Sequence, residues 1–156
     1  MASHPRRRVL QLMSAGFPLG LAGCLDRFTR VEETRLEQLQ GINFDHEAHT
    51  VYVEVTDDDE TVYDDMVEVP PADEESTEWG DGGWGKATFT DYPTEPGSYT
   101  VHTWRGDQSR ADRRTLDLRE YDQSCVEINV HIGDPDREDI RSEVSIWRSF
   151  HCSDAD

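Results

Sequence analysis

Hydrophobic residues in this chain recur at every second position, in short runs broken by turn-forming residues. That period restricts the fold more than any other feature. In Ser124 to Ile132, Val126, Ile128, Val130 and Ile132 fall on one side, and Glu127, Asn129 and His131 on the other. Val51, Val53 and Val55 alternate with Tyr52, Glu54 and Thr56. Such alternation marks strands with one face buried. Asp57-Asp58-Asp59-Glu60 turns the chain, and Thr61 to Val69 returns as a second strand ended by Pro70-Pro71, a hairpin-like unit. Lys86 to Tyr92, Ser98 to Arg105 and Thr115 to Arg119 read as further strands. Ile140 to Cys152 reads as the last, with Arg148 out of phase, which a bulge or a sheet edge would explain. Ile42 and Phe44 begin the pattern. No helical crossover separates these runs, so a parallel α/β sheet is not expected. The expectation is an all-β, antiparallel sandwich of about seven to eight strands.

Pro96-Gly97-Ser98-Tyr99-Thr100-Val101 resembles the Pro-Gly-x-Tyr-x-Val lead-in to a late strand in immunoglobulin-like, fibronectin-like and transthyretin-like domains. The resemblance covers this motif and the preceding strand–turn–strand–Pro-Pro unit. It implies an immunoglobulin-like sandwich in the broad sense. The antibody signature is missing, because Cys125 and Cys152 stand too close in sequence and Gln123, not a tyrosine, stands two residues before Cys125.

The N-terminus has a different grammar. Arg6, Arg7 and Arg8 precede an uncharged stretch from Val9 to Gly23, too short for a spanning helix of about 20 apolar residues. A basic start, an apolar run and small residues form the pattern of a removed signal peptide. Arg6-Arg7-Arg8-Val9-Leu10-Gln11 resembles the twin-arginine export motif, with Gln11 where lysine is usual and Pro5 where Ser or Thr is usual. Leu21-Ala22-Gly23-Cys24 resembles a lipobox, which implies a thioether-linked lipid on Cys24. A diacylglyceryl group supplies the two chains that stable anchoring takes. Residues 1–23 are therefore expected to be a signal peptide, 24–40 a lipid-anchored tether and 41–156 the sandwich. Within the tether, Val31, Leu36 and Leu39 have the spacing of a short, marginal amphipathic helix. The expected location is the extracellular face of the cell membrane.

Charge sharpens that address. The chain carries 34 acids against 15 lysines and arginines, a formal net charge of −19. Residues 1–23 hold three arginines and no acid, so their removal leaves 12 bases against 34 acids, a net −22. Lys86 is the sole lysine, and the acids run from Asp26 to Asp156 rather than in one tail. Such charge repels itself in a compact state, but at molar salt the screening length falls to about 3 Å. The composition resembles that of haloarchaeal proteins. It excludes nucleic acid as a partner, which needs basic clusters. Arg110, Arg113 and Arg114 form the one such cluster after Cys24, interrupted by Asp112, and are expected on an exposed strand or loop.

With Cys24 assigned to lipid, Cys125 and Cys152 remain as a pair at the start of one expected strand and the end of another. A disulfide between them closes a loop of about 28 residues, worth roughly 3–4 kcal/mol in chain entropy. No Cys-x-x-Cys is present.

No motif specifies a reaction or a cofactor. His46-Glu47-Ala48-His49 places its histidines three apart, whereas the His-Glu-x-x-His zinc site needs four on one helical face. Asp134-Pro135-Asp136-Arg137-Glu138-Asp139 lacks the glycine and distal glutamate of a calcium loop. Asp57 to Glu60 has charge without ligand geometry. A blue-copper set would need Cys125, Met66 and histidines such as His131 and His151, without the usual spacing. An enzyme would require His46, His49, His102 or His131 to cluster with acids. No metal site and no cofactor are expected. Trp79, Gly80, Gly82, Gly83, Trp84 and Gly85 form the most unusual segment after Cys24; its tryptophans either cap the sandwich or serve as a binding loop. Neither Asn43 nor Asn129 opens a glycosylation sequon. The expected function is a non-enzymatic, membrane-anchored lipoprotein of a halophile's surface, an interaction or envelope-structure module with a surface protein or carbohydrate as partner. The alternative is an extracellular small-ligand or metal-cation binding protein.

Overall fold

The computed structural model describes residues 33–73, 83–137, 139 and 142–152. The chain divides into two units, Met1–Arg30 and Val31–Asp156, and all described residues belong to the second. Among the described residues eight strands follow one another: β1 (Arg35–Asn43), β2 (His49–Asp57), β3 (Glu60–Val69), β4 (Gly85–Thr88), β5 (Tyr99–Arg105), β6 (Arg114–Asp117), β7 (Cys125–Ile132) and β8 (Val144–Ser149). Short 3-10 turns at Arg110–Asp112 and Leu118–Glu120 flank β6. The strands form two four-stranded sheets, ordered β4-β1-β7-β8 and β3-β2-β5-β6. The all-β sandwich expected from the alternation is therefore observed. It is not wholly antiparallel: β1 runs parallel to β7, while the other pairs are antiparallel.

The alternation explains the core. Val51, Val53 and Val55 of β2, Val101 of β5 and Val126, Ile128, Val130 and Ile132 of β7 are fully buried between the sheets. Leu36, Leu39, Phe89 and Leu118 join the same cluster. Period two places these side chains on one face of each sheet, and two such faces remove each other from water.

The tether expected over 24–40 needs correction in its second half. Arg35 to Gln40 belongs to β1, an inner strand, and Leu39 is 0% exposed. The leucine spacing that mimics a helical stripe has a different cause. The register with β7 shifts between Leu36 and Gln38, so Leu36 aligns with Val126 and Leu39 with Ile128. One extra residue in the strand turns a spacing of two into three. The sandwich thus begins before Gly41.

Several local features secure the connections. Asp58 and Asp59 both have positive φ, 45° and 70°, as the two-residue turn between β2 and β3 demands. At Pro96 to Val101, the Tyr99 hydroxyl donates to the Glu95 carbonyl at 2.8 Å. A side chain at Gly97 would run into the Tyr99 ring, so glycine there lets the tyrosine fold back over its own lead-in. Asn43, 0% exposed, donates to the carbonyls of Glu47 at 2.7 Å and Pro70 at 2.9 Å and accepts from the Asp45 amide at 2.9 Å. One buried amide thereby holds the β1–β2 connection to the end of β3. Cys125 and Cys152 are disulfide-bonded, with Cα atoms 6.3 Å apart, and the bridge fastens the segment after β8 to the start of β7. Arg148, out of phase as expected, lies on an edge strand with its guanidinium 4.4 Å from the Tyr121 ring centre. No helix among the described residues is long and apolar enough to cross a membrane.

Candidate functional site

The outward residues of the β4-β1-β7-β8 sheet form the candidate site. β7 turns Ile128, Val130 and Ile132 inward, so Glu127, Asn129 and His131 point outward. Register then builds rows across the sheet. Thr88, Gln40, Asn129 and Trp147 are successive cross-strand partners, one from each strand. Lys86, Ile42, His131 and Ser145 form the next row, and Gln38, Glu127 and Ser149 the one on the other side. Within these rows the only charges are Lys86 and Glu127. The outer face of the second sheet differs, with Glu54, Asp64, Glu68 and Asp117 on its strands.

Trp147 is 59% exposed, the most exposed large hydrophobic side chain among the described residues. Its ring stacks on His131 at 5.2 Å with planes 18° apart. His131 meets Phe44 edge-on at 5.1 Å, and Phe44 meets Trp84 edge-on at 5.0 Å. The four rings form a continuous aromatic band. Burial lowers the His131 pKa to about 4, against a slight opposing pull from Asp134, so the imidazole is neutral at neutral pH. Beside the band, Asn129 Oδ1 accepts from Gln40 Nε2 at 2.6 Å and from Gln38 Nε2 at 3.4 Å. These bonds leave the Asn129 amide donors and both glutamine carbonyls for other partners. A hollow of about 730 Å³ wraps the β8 edge, with His131 and Trp147 on one side and Arg114, Tyr121 and Arg148 on the other.

A second hollow, of about 450 Å³, lies on the opposite sheet. Arg110, Arg113 and Arg119 face Glu54, Asp59 and Asp117 there, so opposite charges balance. Glu54 is 4% exposed. Burial raises its pKa, but hydrogen bonds from Arg110 and Thr61 outweigh that and hold it below the usual value. The arginine cluster expected on an exposed segment is exposed but splays apart: Arg110 pairs with Glu54, and Arg114 reaches Glu143 at 2.6 Å and the Val144 carbonyl at 3.1 Å on β8.

The other expected residues scatter. His46 is exposed, while His49 bonds Asp45 at 2.8 Å. His102 bonds Thr115 on the outer face of the second sheet, opposite His131. Cys125 is tied up in the disulfide and Met66 is exposed on the second sheet, so neither can join a copper set with His131. Among the described residues, no group of three His, Cys, Asp or Glu could hold a metal ion. Of the tryptophan loop, Trp84 packs against Phe44, and Trp79 lies outside the described residues. Arg6, Arg7, Leu21, Ala22, Gly23 and Cys24 also lie outside them. Sequence reading missed Trp147, Phe44 and the Gln40–Asn129 pair as site residues. Trp147 alternates with Val144 and Ile146, a phase that already turns it outward. No protein-family model, curated protein or solved structure matches the chain.

Proposed function

We propose that the chain is a non-enzymatic lipoprotein of a halophile's surface, anchored through Cys24, whose sandwich offers the outer face of β4-β1-β7-β8 to an envelope partner. The observation that carries this reading is Trp147, left 59% exposed beside rows whose only charges are Lys86 and Glu127, in a chain of net −19. Exposed aromatic side chains backed by packed neighbours are a common basis of recognition. The export-type N-terminus supports the location, and the Cys125–Cys152 bridge suits an oxidising compartment. The two-sheet sandwich and the Pro96 to Val101 motif support an immunoglobulin-like reading in the broad sense only. Constant-type immunoglobulin domains keep their first two strands in one sheet, whereas β1 and β2 lie in different sheets here.

The full chain, mixed in molar potassium chloride with detergent-extracted envelopes, is expected to co-sediment with them. Trp147→Ala should lower retention at least tenfold, and Met66→Ala, on the opposite face, should leave it unchanged. Equal retention of both variants would refute the assignment of this face. The small-ligand alternative is favoured by the hollow beside Trp147, whose volume of about 730 Å³ suits a bound small molecule.

A further inference from the structure

We infer that the row Trp147–Asn129–Gln40–Thr88 is a binding track for an uncharged polysaccharide segment; this rests on the reading of the same face as the envelope-binding surface. The row crosses four strands at about 4.8 Å each, so it is about 14 Å long, enough for a short run of sugar rings. An indole presents a flat face of negative quadrupole, which matches the row of slightly positive axial C–H groups on one side of a pyranose. The stack on His131 fixes the Trp147 ring, so little rotamer freedom is lost when a sugar lands on it. Next along the track, the unused amide donors of Asn129 and the carbonyl of Gln40 supply both senses of hydrogen bond that a hydroxyl needs. Thr88 adds a hydroxyl at the far end.

Charge decides against other occupants. A cationic partner has many carboxylates to choose elsewhere on a chain of net −19, and the rows of this face offer an anionic one only Lys86 to pair with. The track suits a ligand that is polar and neutral. Stacking and short hydrogen bonds also survive at molar salt, where longer-range attraction is screened. A protein partner needs about 800 Å² of contact on each side, more than one indole and a few polar side chains provide.

The test uses the full chain in molar potassium chloride and four neutral polysaccharides as probes: dextran, mannan, cellulose and chitin. Binding is read by tryptophan fluorescence for the soluble probes and by depletion from solution for the insoluble ones. Retention by at least one is expected, weakened tenfold or more by Trp147→Ala, severalfold by Asn129→Ala, and partly restored by Trp147→Phe. Each variant should melt cooperatively, since these side chains lie on the outer face. Binding to none of the four, or binding indifferent to Trp147→Ala, overturns the inference. Dextran sulfate serves as the anionic control, and binding restricted to it also overturns the inference and would point to the arginines of the opposite hollow. If detergent-extracted envelopes retain the chain through Trp147 while no neutral polysaccharide does, the sugar assignment fails and a protein partner on the same face takes its place. If the envelopes fail as well, both readings fall.

Discussion

His131 shows how a single residue links packing, charge and the exposed face. Its imidazole lies between the Trp147 and Phe44 rings, where the charged form is poorly solvated, and its pKa drops to about 4. In the unfolded chain the same group titrates near 6.5. Between these values the unfolded state binds more protons than the folded one, so stability rises with pH across that window and is lost as pH falls from about 6.5 towards 4. Burial raises the pKa of Asp45 and Glu54, but hydrogen bonds from His49 and the His46 amide, and from Arg110 and Thr61, outweigh it and hold each below its usual value, so both contribute at the acid end. Denaturant titrations at pH 7 and pH 5 in molar salt are expected to show a lower midpoint at pH 5, with a smaller drop in His131→Asn. An equal drop in both proteins would mean that the histidine is not buried as described. At this scale the sequence was partly legible. Its alternation turned His131 outward, but an outward histidine reads as solvated, and only the neighbouring rings bury it. Asn43 was opaque for a similar reason, since its backbone partners lie both in the β1–β2 connection and just beyond β3, 27 residues away.

Among the elements, strands were legible where the period is clean and illegible where a bulge intervenes. β2, β3, β5 and β7 lie within a residue or two of their expected limits, because a single buried face imposes strict alternation. β1 hid behind its register shift at Leu36, and its parallel pairing with β7 leaves no local trace at all. β8 is the element most dependent on its surroundings. It pairs on one side only, and the disulfide fastens the segment that follows it. Cys152→Ser is expected to lower unfolding free energy by about 3–4 kcal/mol, the loop-closure term, measured by denaturation in molar salt. Hydrogen exchange should then show β8 amides protected less than those of β2. Unchanged β8 protection would indicate that strand pairing alone holds this edge.

At the scale of the whole molecule, a proposed lipid anchor at Cys24 and an exposed face on the sandwich serve one proposed function. The address remains a proposal that rests on Arg6, Arg7 and the Leu21–Cys24 run; the face was not legible in the sequence, because it depends on which strands become neighbours. Trp147, Asn129 and Gln40 come from distant parts of the chain and meet only through the β1–β7–β8 order. The acidic surface fits both, since a net charge of −19, or −22 without the first 23 residues, is tolerable where salt screens it. The central claim is that Cys24 holds this sandwich at the outer membrane face. The most direct measurement is fractionation of a haloarchaeal host that expresses the full chain or Cys24→Ser. The unaltered chain should sediment with membranes and leave them only in detergent, while Cys24→Ser should appear folded in the culture medium. Cys24→Ser that stays with the membranes, or an unaltered chain that washes off without detergent, would contradict the account.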